Sequence, residues 1–442
     1  MIARITMAVA ALTAIAAGLY LLELPRAGLE IEHVRAGNTP VTIMQRPEAE
    51  GPLVVIAHGF AGSRQLMAAW QLTLAQAGYV TASFDFEGHG RNPVPMSGDV
   101  TSVDGTTRLL MDEMERVTDA ALDVTNAQDR VALLGHSMAS DIVVRQGIRD
   151  DRVEAIVGVS LFSQAVTEEE PENLLIINGS WEAMLREAAR DVMAPLGAAE
   201  GETAGAQGEG FARRAVAAPF VEHVGVLYAP TGLEEARDWL DASFERPPAQ
   251  TPLATIGPAI LLMLFGIVLL ARVLAAALPE GPDAAHVTAR RFWILAAVPA
   301  VATPLLLAPF DTRFLPVLVA DYLALHLAVY GALQLAAILP GAILAMLADA
   351  VLLEAGRARL WRRWAARALF LGSLGLAVTL DFERLFFLLI ILPVILLFYL
   401  SFGLMGGWVG RRTGSVAAMG LGLGIILGWS LGVTFPLFDP GV

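Results

Sequence analysis

The segment Gly135-His136-Ser137-Met138-Ala139, directly after the apolar run 131–134, is the stretch of this chain best equipped for chemistry. A buried strand that breaks at Gly-x-Ser-x-small and re-enters as a helix makes a tight, strained turn with the serine at its tip. Small residues at 135 and 139 keep the backbone clear of the incoming helix; the fifth position is Ala139 rather than glycine, and only a small side chain is needed there. A serine hydroxyl is a weak nucleophile near neutral pH, so it needs a base, an acid to orient the base, and donors for a developing oxyanion. The plainer alternative for Ser137 is a cap on the helix that starts beside it.

His58-Gly59-Phe60 follows the apolar strand 53–57. The N–H of Phe60 can point at a developing oxyanion, and the N–H of Met138 supplies the second donor. His58 itself is a candidate base, although a histidine after such a strand more often supports the loop. Asp85-Phe86-Glu87-Gly88-His89-Gly90 follows the next strand, 80–84. Aspartate at a strand end beside a Gly-x-Gly turn is most simply a loop-shaping residue that caps backbone amides, and His89 reads as structural.

Strand-His-Gly-Phe, strand-Asp-x-x-Gly-His-Gly and strand-Gly-His-Ser-Met-Ala, in this order and spacing, resemble the α/β-hydrolase superfamily over residues 29–245, roughly half of the chain. The resemblance implies a mainly parallel sheet flanked by helices and a chain order of nucleophile, acid, histidine. It therefore directs attention to the turn after 174–177, where Asn178-Gly179-Ser180-Trp181-Glu182 puts a glutamate in the place of the usual aspartate. Glutamate can serve, because the requirement is a carboxylate that holds the imidazole tautomer and stabilises its cation. A helix-start glutamate favoured by the dipole is the bland reading of Glu182, and Glu168, Glu169 and Glu170 are alternative acids. For the base, the resemblance points past the last strand, to His223, the only histidine after Ser137 in the part expected in water. Glu222, its neighbour, is expected to point away. The connector 167–172 is short and acidic where many members insert a helical cap. The serine then faces an open surface, or is covered by residues 198–210 or by the membrane part.

The elements that must position these residues alternate. Strands are expected at 29–34, 41–45, 53–57, 80–84, 130–134, 155–159, 174–177 and 215–220. Helices are expected at 64–77, 106–122, 138–148, 181–193 and 233–244. Such alternation implies a mainly parallel sheet covered on both faces. Residues 198–210, rich in Gly, Ala and Glu, read as a mobile loop.

Composition adds a second part. The 442 residues are 55% hydrophobic and only 17% charged, with a mean hydropathy of +0.58, and the apolar excess begins near residue 254. One part in water and one in lipid follow: an N-terminal membrane anchor or signal peptide at 1–25, an α/β-hydrolase domain at 26–244, a linker at 245–253, and an all-α transmembrane bundle of about six spans at 254–442. The first segment carries a small-x-small site, Ala14-Ile15-Ala16, but its apolarity runs on to Leu22, which favours an uncleaved anchor. The later spans are expected near 258–278, 292–308, 314–339, 368–380, 385–405 and 416–435; between 314 and 353, one span followed by an interfacial or re-entrant helix fits best. Arginines crowd alternate loops: Arg272, Arg290 and Arg291, then Arg357, Arg359, Arg362, Arg363 and Arg367, then Arg411 and Arg412. Placing these inside puts the hydrolase domain on the extracytoplasmic side of a bacterial inner membrane. Asp321, Tyr322 and His326 form a polar group within a span, either a functional pair or an interfacial aspartate with a bonded histidine. Asp349 reads as ordinary, and Trp361 and Trp364 as interfacial anchors.

A net charge of -14 argues against a nucleic-acid partner. Absence of cysteine removes disulfides, thiolate catalysis and thiolate metal sites, and no cofactor is called for. Asn178-Gly179-Ser180 matches a glycosylation sequon but overlaps the acid turn, so it is set aside. The expectation is a membrane-integrated serine hydrolase. Ser137 attacks, His223 is the base, Glu182 orients it, and the Phe60 and Met138 amides hold the oxyanion. The substrate expected is an ester or thioester, a small molecule or a lipid with a long acyl chain, met among membrane lipids. A peptidase or amidase, an acyltransferase, and a non-catalytic binding or transport protein are the alternatives.

Overall fold

Residues 53–57 are fully buried, and their side chains divide with a period of two. Leu53, Val55 and Ala57 pack with one apolar cluster, Val54 and Ile56 with the other. A strand apolar on both faces belongs inside a sheet covered by helices on each side. That is its position in the computed structural model, which describes residues 2–275, apart from 61, 95, 98, 100 and 101, and a few positions between 298 and 333.

The sheet has nine strands: β1 (Glu30–Ala36), β2 (Thr39–Gln45), β3 (Pro52–Ala57), β4 (Val80–Phe84), β5 (Gln128–His136), β6 (Val153–Val159), β7 (Asn173–Gly179), β8 (Thr203–Ala206) and β9 (Phe211–Ala218). Their order is β1-β2-β4-β3-β5-β6-β7-β9-β8. From β4 to β9 neighbouring strands are parallel, whereas β1, β2 and β8 pair antiparallel at the edges. The helices are α1 (Ile2–Glu23), α2 (Ala68–Gln76), α3 (Arg108–Val124), α4 (Met138–Arg149), α5 (Ala183–Met193), α6 (Pro230–Ser243) and α7 (Gly257–Ala275). Side chains of α3, α4 and α5 fill one cluster, those of α2 and α6 the other. This is the α/β-hydrolase fold. Because the central strands are parallel, their carboxyl ends meet at one edge, and the segments after β3, β4, β5, β6, β7 and β9 collect there.

Two local expectations change. Residues 198–210 hold β8, whose residues Thr203–Ala206 pair with Arg214 back to Phe211. Their Gly and Ala content hid the strand; a backbone ladder needs no large side chain, and Gly205 takes a positive φ of 74° that suits its place. The 207–210 turn lies at the amino end of β9, opposite the carboxyl edge, so this segment is no lid over Ser137. Residues 245–256, expected in part as a linker, are fastened along the domain. Arg246 stacks 4.1 Å from the Tyr79 ring centroid and donates to the Ala77 carbonyl at 2.7 Å. Ala249 N–H donates to Asp241 at 2.8 Å, Arg237 to the Thr251 carbonyl at 3.1 Å, and Ala254 N–H to Thr73 Oγ1 at 3.0 Å. Asp241 also accepts from the Tyr79 hydroxyl at 2.8 Å. Since α6 descends from the carboxyl edge, this strap climbs back toward it.

The chain divides into two compact units, Met1–Ala16 with Leu262–Ser430 and Ala17–Leu261 with Leu431–Val442. Among the described residues, the helical stretches Ile2–Arg26 and Gly257–Leu274 are long and apolar enough to cross a membrane. The spans expected from 314 onward, most of 292–308, Asp321, Tyr322, His326, Asp349, Trp361, Trp364 and the arginine-rich loops beyond Arg272 lie outside the described residues.

Candidate active site

Ser137 stands between the end of β5 and the first residue of α4 with φ 54° and ψ −118°. That conformation is an outlier for a residue with a Cβ, and it is fixed from both sides. Ser137 N–H donates to the Val159 carbonyl at 2.9 Å, and its own carbonyl accepts from Ser140 N–H at 2.8 Å. Gly135 faces the Ala139 carbonyl, 2.5 Å from where a Cβ would sit. The strand and helix therefore cross at van der Waals distance, and the serine side chain is pushed out at the tip.

The structure brings Ser137, His223 and Glu182 into one hydrogen-bonded line. His223 Nε2 lies 2.8 Å from Ser137 Oγ, and His223 Nδ1 lies 2.5 Å from Glu182 Oε1. Both side chains are largely buried. Glu182 is not inside α5 but directly before it, and its side chain makes no cap to that helix. Its second oxygen accepts instead from Gly179 N–H at 2.5 Å and from Ser160 Oγ at 2.9 Å. Glu222 turns away, as expected, and accepts from the Val224 and Gly225 amides, both at 2.8 Å. The connector bearing Glu168, Glu169 and Glu170 is tied to Arg213, which donates to the Thr167, Glu170 and Pro171 carbonyls. Arg213 sits at the amino end of β9, which separates those glutamates from His223. No helix interrupts residues 160–172, so no cap is inserted there.

The turns carrying the expected oxyanion donors are set against the serine. Ala57 is paired with Gly135 across β3 and β5, and a Cβ on Gly59 would stand 2.9 Å from both Ser137 Cβ and His136 Nδ1. Met138 begins α4, where amide hydrogens have no carbonyl behind them in the helix. Gly59→Ala is expected to push the 58–60 turn away from Ser137 and to lower kcat/KM on a short ester at least ~100-fold, the scale of a misplacement of about 1 Å. Wild-type turnover in that variant would show that the close approach is unimportant.

His58 is a support. Its Nδ1 donates to the Gly59 carbonyl at 2.7 Å, and its Nε2 accepts from Phe86 N–H at 3.1 Å. His89 packs on His58 and, edge to face, on Phe60, with ring centroids 5.4 Å apart in the second pair. Asp85, fully buried, accepts from the Arg64 and Arg91 amides at 2.8 and 3.0 Å and from the Arg64 guanidinium. Asn178 is buried as well, accepting from Leu161 N–H and donating to the Leu185 carbonyl, which leaves no room for a glycan.

Two supporting residues escaped the sequence reading. His136, the variable residue of the serine motif, donates from Nε2 to the His223 carbonyl at 2.9 Å, so it fixes the loop that presents His223. Its place inside the motif was the available signal. Ser160, held at φ 52°, reaches Glu182 from a strand end that carries no recognisable pattern.

Burial holds two of these histidines neutral. Desolvation, reinforced by His89, takes His58 down to about 3; desolvation, reinforced by His223, takes His136 down to about 3. Both start from an ordinary value of 6.5. Between those limits the unfolded chain takes up protons that the folded chain refuses, so this stabilisation is complete above 6.5 and is lost as pH falls toward 3. Thermal unfolding of the detergent-solubilised protein should move to lower temperature once pH drops below about 6.5, with a shallower decline for His136→Gln. A midpoint that stays level down to about pH 4 would show that these rings are not held neutral.

Among the described residues, no group of three or more His, Cys, Asp or Glu could hold a metal ion. Residues 49–193, one third of the chain, match the family described as serine aminopeptidase, S33. No curated protein sequence matches the chain. Among solved structures, it is similar to the epoxide hydrolase VrEH1 of Vigna radiata, with 21% identity, a TM-score of 0.24, and 30% of this chain and 39% of that one covered. A hypothetical protein of Pseudomonas aeruginosa shares 13% identity at a TM-score of 0.34, over 46% of this chain and 89% of that one. The chain thus spans well under half the length of the epoxide hydrolase.

Proposed function

We propose that this protein is a membrane-anchored serine hydrolase that cleaves an ester or thioester of an acyl chain through an acyl-enzyme. The observation that carries this reading is the unbroken line from Ser137 Oγ through His223 to Glu182 Oε1, starting at a strained turn. As Oγ attacks the carbonyl carbon, its proton passes to His223 Nε2. The Nδ1–H bond to Glu182 holds the tautomer and stabilises the cation. The carbonyl oxygen gains a negative charge beside the Phe60 and Met138 amides. Collapse expels the alcohol or thiol, which takes the proton from His223 and leaves the acyl group on Ser137. Water then attacks the acyl carbon, gives a proton to His223, and releases the carboxylic acid as Oγ is reprotonated.

Two apolar helices, α1 and α7, support the anchoring, and a bilayer-held enzyme meets acyl-chain esters at high local concentration. The family description favours a second reading, amide or peptide cleavage by the same residues. Fluorophosphonate labelling of the purified full-length chain tests the common core of both. One phosphonyl group on Ser137, with release of fluoride, is the expected result; labelling elsewhere, or none in folded protein, would defeat it. Matched acyl esters and anilides then separate esterase from amidase.

A further inference from the structure

From β1 to α6, the exposed large apolar side chains concentrate at the carboxyl edge of the sheet, around Ser137. Phe162 follows β6 and is 57% exposed, Trp181 and Met184 follow β7 at 66% and 63%, and Phe220 follows β9 at 81%. Val103, in the turn before α3, and Leu109, at its start, share the edge; Val124, at the far end of that helix, is the exception among the described residues. Backbone bonds fasten the turns that carry these side chains. Phe220 N–H donates to Ser180 Oγ at 2.8 Å, Trp181 N–H donates to the Val221 carbonyl at 3.1 Å, and Phe162 N–H donates to Ser140 Oγ at 3.2 Å.

Water alone gives no reason for this arrangement. Phe220 adopts φ 59°, a conformation that costs an aromatic residue energy, yet its ring gains no burial in return. The bonds from Phe220 N–H to Ser180 Oγ and from Trp181 N–H to the Val221 carbonyl instead hold that turn with the ring exposed. Such side chains suit a membrane–water interface, where the Trp181 indole satisfies both an apolar body and a polar N–H and the phenylalanine rings and Met184 enter the apolar side of the headgroup boundary.

The strap indicates what covers the rim. It climbs from Arg246 at the amino end, past Asp241, Arg237 and Thr73, and delivers Gly257 beside Tyr228, where a Cβ would lie 3.1 Å from Tyr228 Cβ. Tyr228 ends the short helical turn Gly225–Tyr228 that follows the His223 loop, so the strap brings Gly257, the residue that opens α7, back beside that loop. We infer that this edge docks on the surface of the bilayer, with Phe162, Trp181, Met184 and Phe220 entering the headgroup region and Ser137 facing lipid. Docking deepens the hydrolase reading by naming the substrate class, a lipid ester whose carbonyl lies at interfacial depth, and it rests on that reading for the substrate alone.

The chain has no cysteine, so single nitroxide labels can be attached at 162, 181, 184 and 220 of the full-length protein, reconstituted in phosphatidylethanolamine–phosphatidylglycerol vesicles. Gly208, in the turn at the opposite edge, serves as the aqueous control. At the four rim positions, collisions with oxygen should exceed those with a water-soluble nickel chelate, and the order should reverse at Gly208. Rim labels as open to the chelate as Gly208 would overturn the proposal. So would rim labels closed to both reagents, which would mean a protein cover, from a second copy or from the chain itself. Thermal unfolding of each labelled variant verifies its fold. The depth measurement needs no catalysis, so docking with failed fluorophosphonate labelling would sink the hydrolase reading alone, and the reverse pattern would sink docking alone.

Discussion

Ser137→Ala is expected to lower kcat for a short p-nitrophenyl ester by about 10⁶-fold, the scale seen when a serine nucleophile is removed from an intact site. The Oγ hydrogen bond to His223 is what the substitution deletes. The backbone bonds that shape the turn, from Ser137 N–H to Val159 and from Ser140 N–H to Ser137, stay in place. Alanine also carries a Cβ, so the positive φ costs both residues alike. Thermal unfolding should therefore shift little while turnover disappears. The measurement is steady-state hydrolysis beside a melting curve. Turnover within 100-fold of wild type would remove Ser137 from the chemistry, whereas joint loss of fold and activity would assign it a structural role.

Glu182→Gln should cost about 10⁴-fold in kcat, the magnitude associated with holding the wrong histidine tautomer. The glutamate shares its two oxygens: Oε1 accepts the hydrogen bond from His223 Nδ1–H, while Oε2 accepts from Gly179 N–H and Ser160 Oγ. A glutamine has one oxygen and one NH₂. With its oxygen toward Gly179, its NH₂ meets His223 Nδ1 and drives the ring proton to Nε2, where it blocks acceptance from Ser137. Flipped, the NH₂ opposes the Gly179 amide, donor against donor, which is costly in a buried site. Both orientations impair the site, so kcat should fall with KM nearly unchanged. A loss below tenfold would mean that the carboxylate does not assist the base.

The catalytic edge was more legible in the sequence than its surroundings. Gly59 and Ser137 come shortly after the apolar runs 53–57 and 131–134, and Asp85 directly follows the buried strand 80–84; apolar runs broken by Gly-containing turns are visible without coordinates. Glu182 is singled out only through the chain order that the superfamily resemblance implies, and its geometry depends on Ser160 and Gly179, contacts between segments that no local pattern connects. β8 was hidden because its ladder is backbone to backbone, with Ala and Gly giving no alternation to read. The strap was hidden for a related reason. Pro247 and Pro248 signal a break in regular structure, but such a break looks the same whether the segment floats or is fastened by Arg246, Ala249 and Ala254. His136 was in plain view, and its partner, the His223 carbonyl, lies 87 residues away.

The fastened strap also bears on the proposed docking. A free linker of a dozen residues would scatter the domain over roughly 5–6 Å times the square root of its length, or about 20 Å. The effective concentration at the surface would then be an average over that cloud. Here the chain between the catalytic edge and the first residue of α7 has no slack, because Asp241, Arg237, Thr73 and Tyr228 each take hold of it. The strap is fastened along its length up to Gly257, so that residue is held close to the domain. On the docking proposed above, selectivity by depth would follow, with esters sorted by where their carbonyl sits along the bilayer normal as well as by what fits the site.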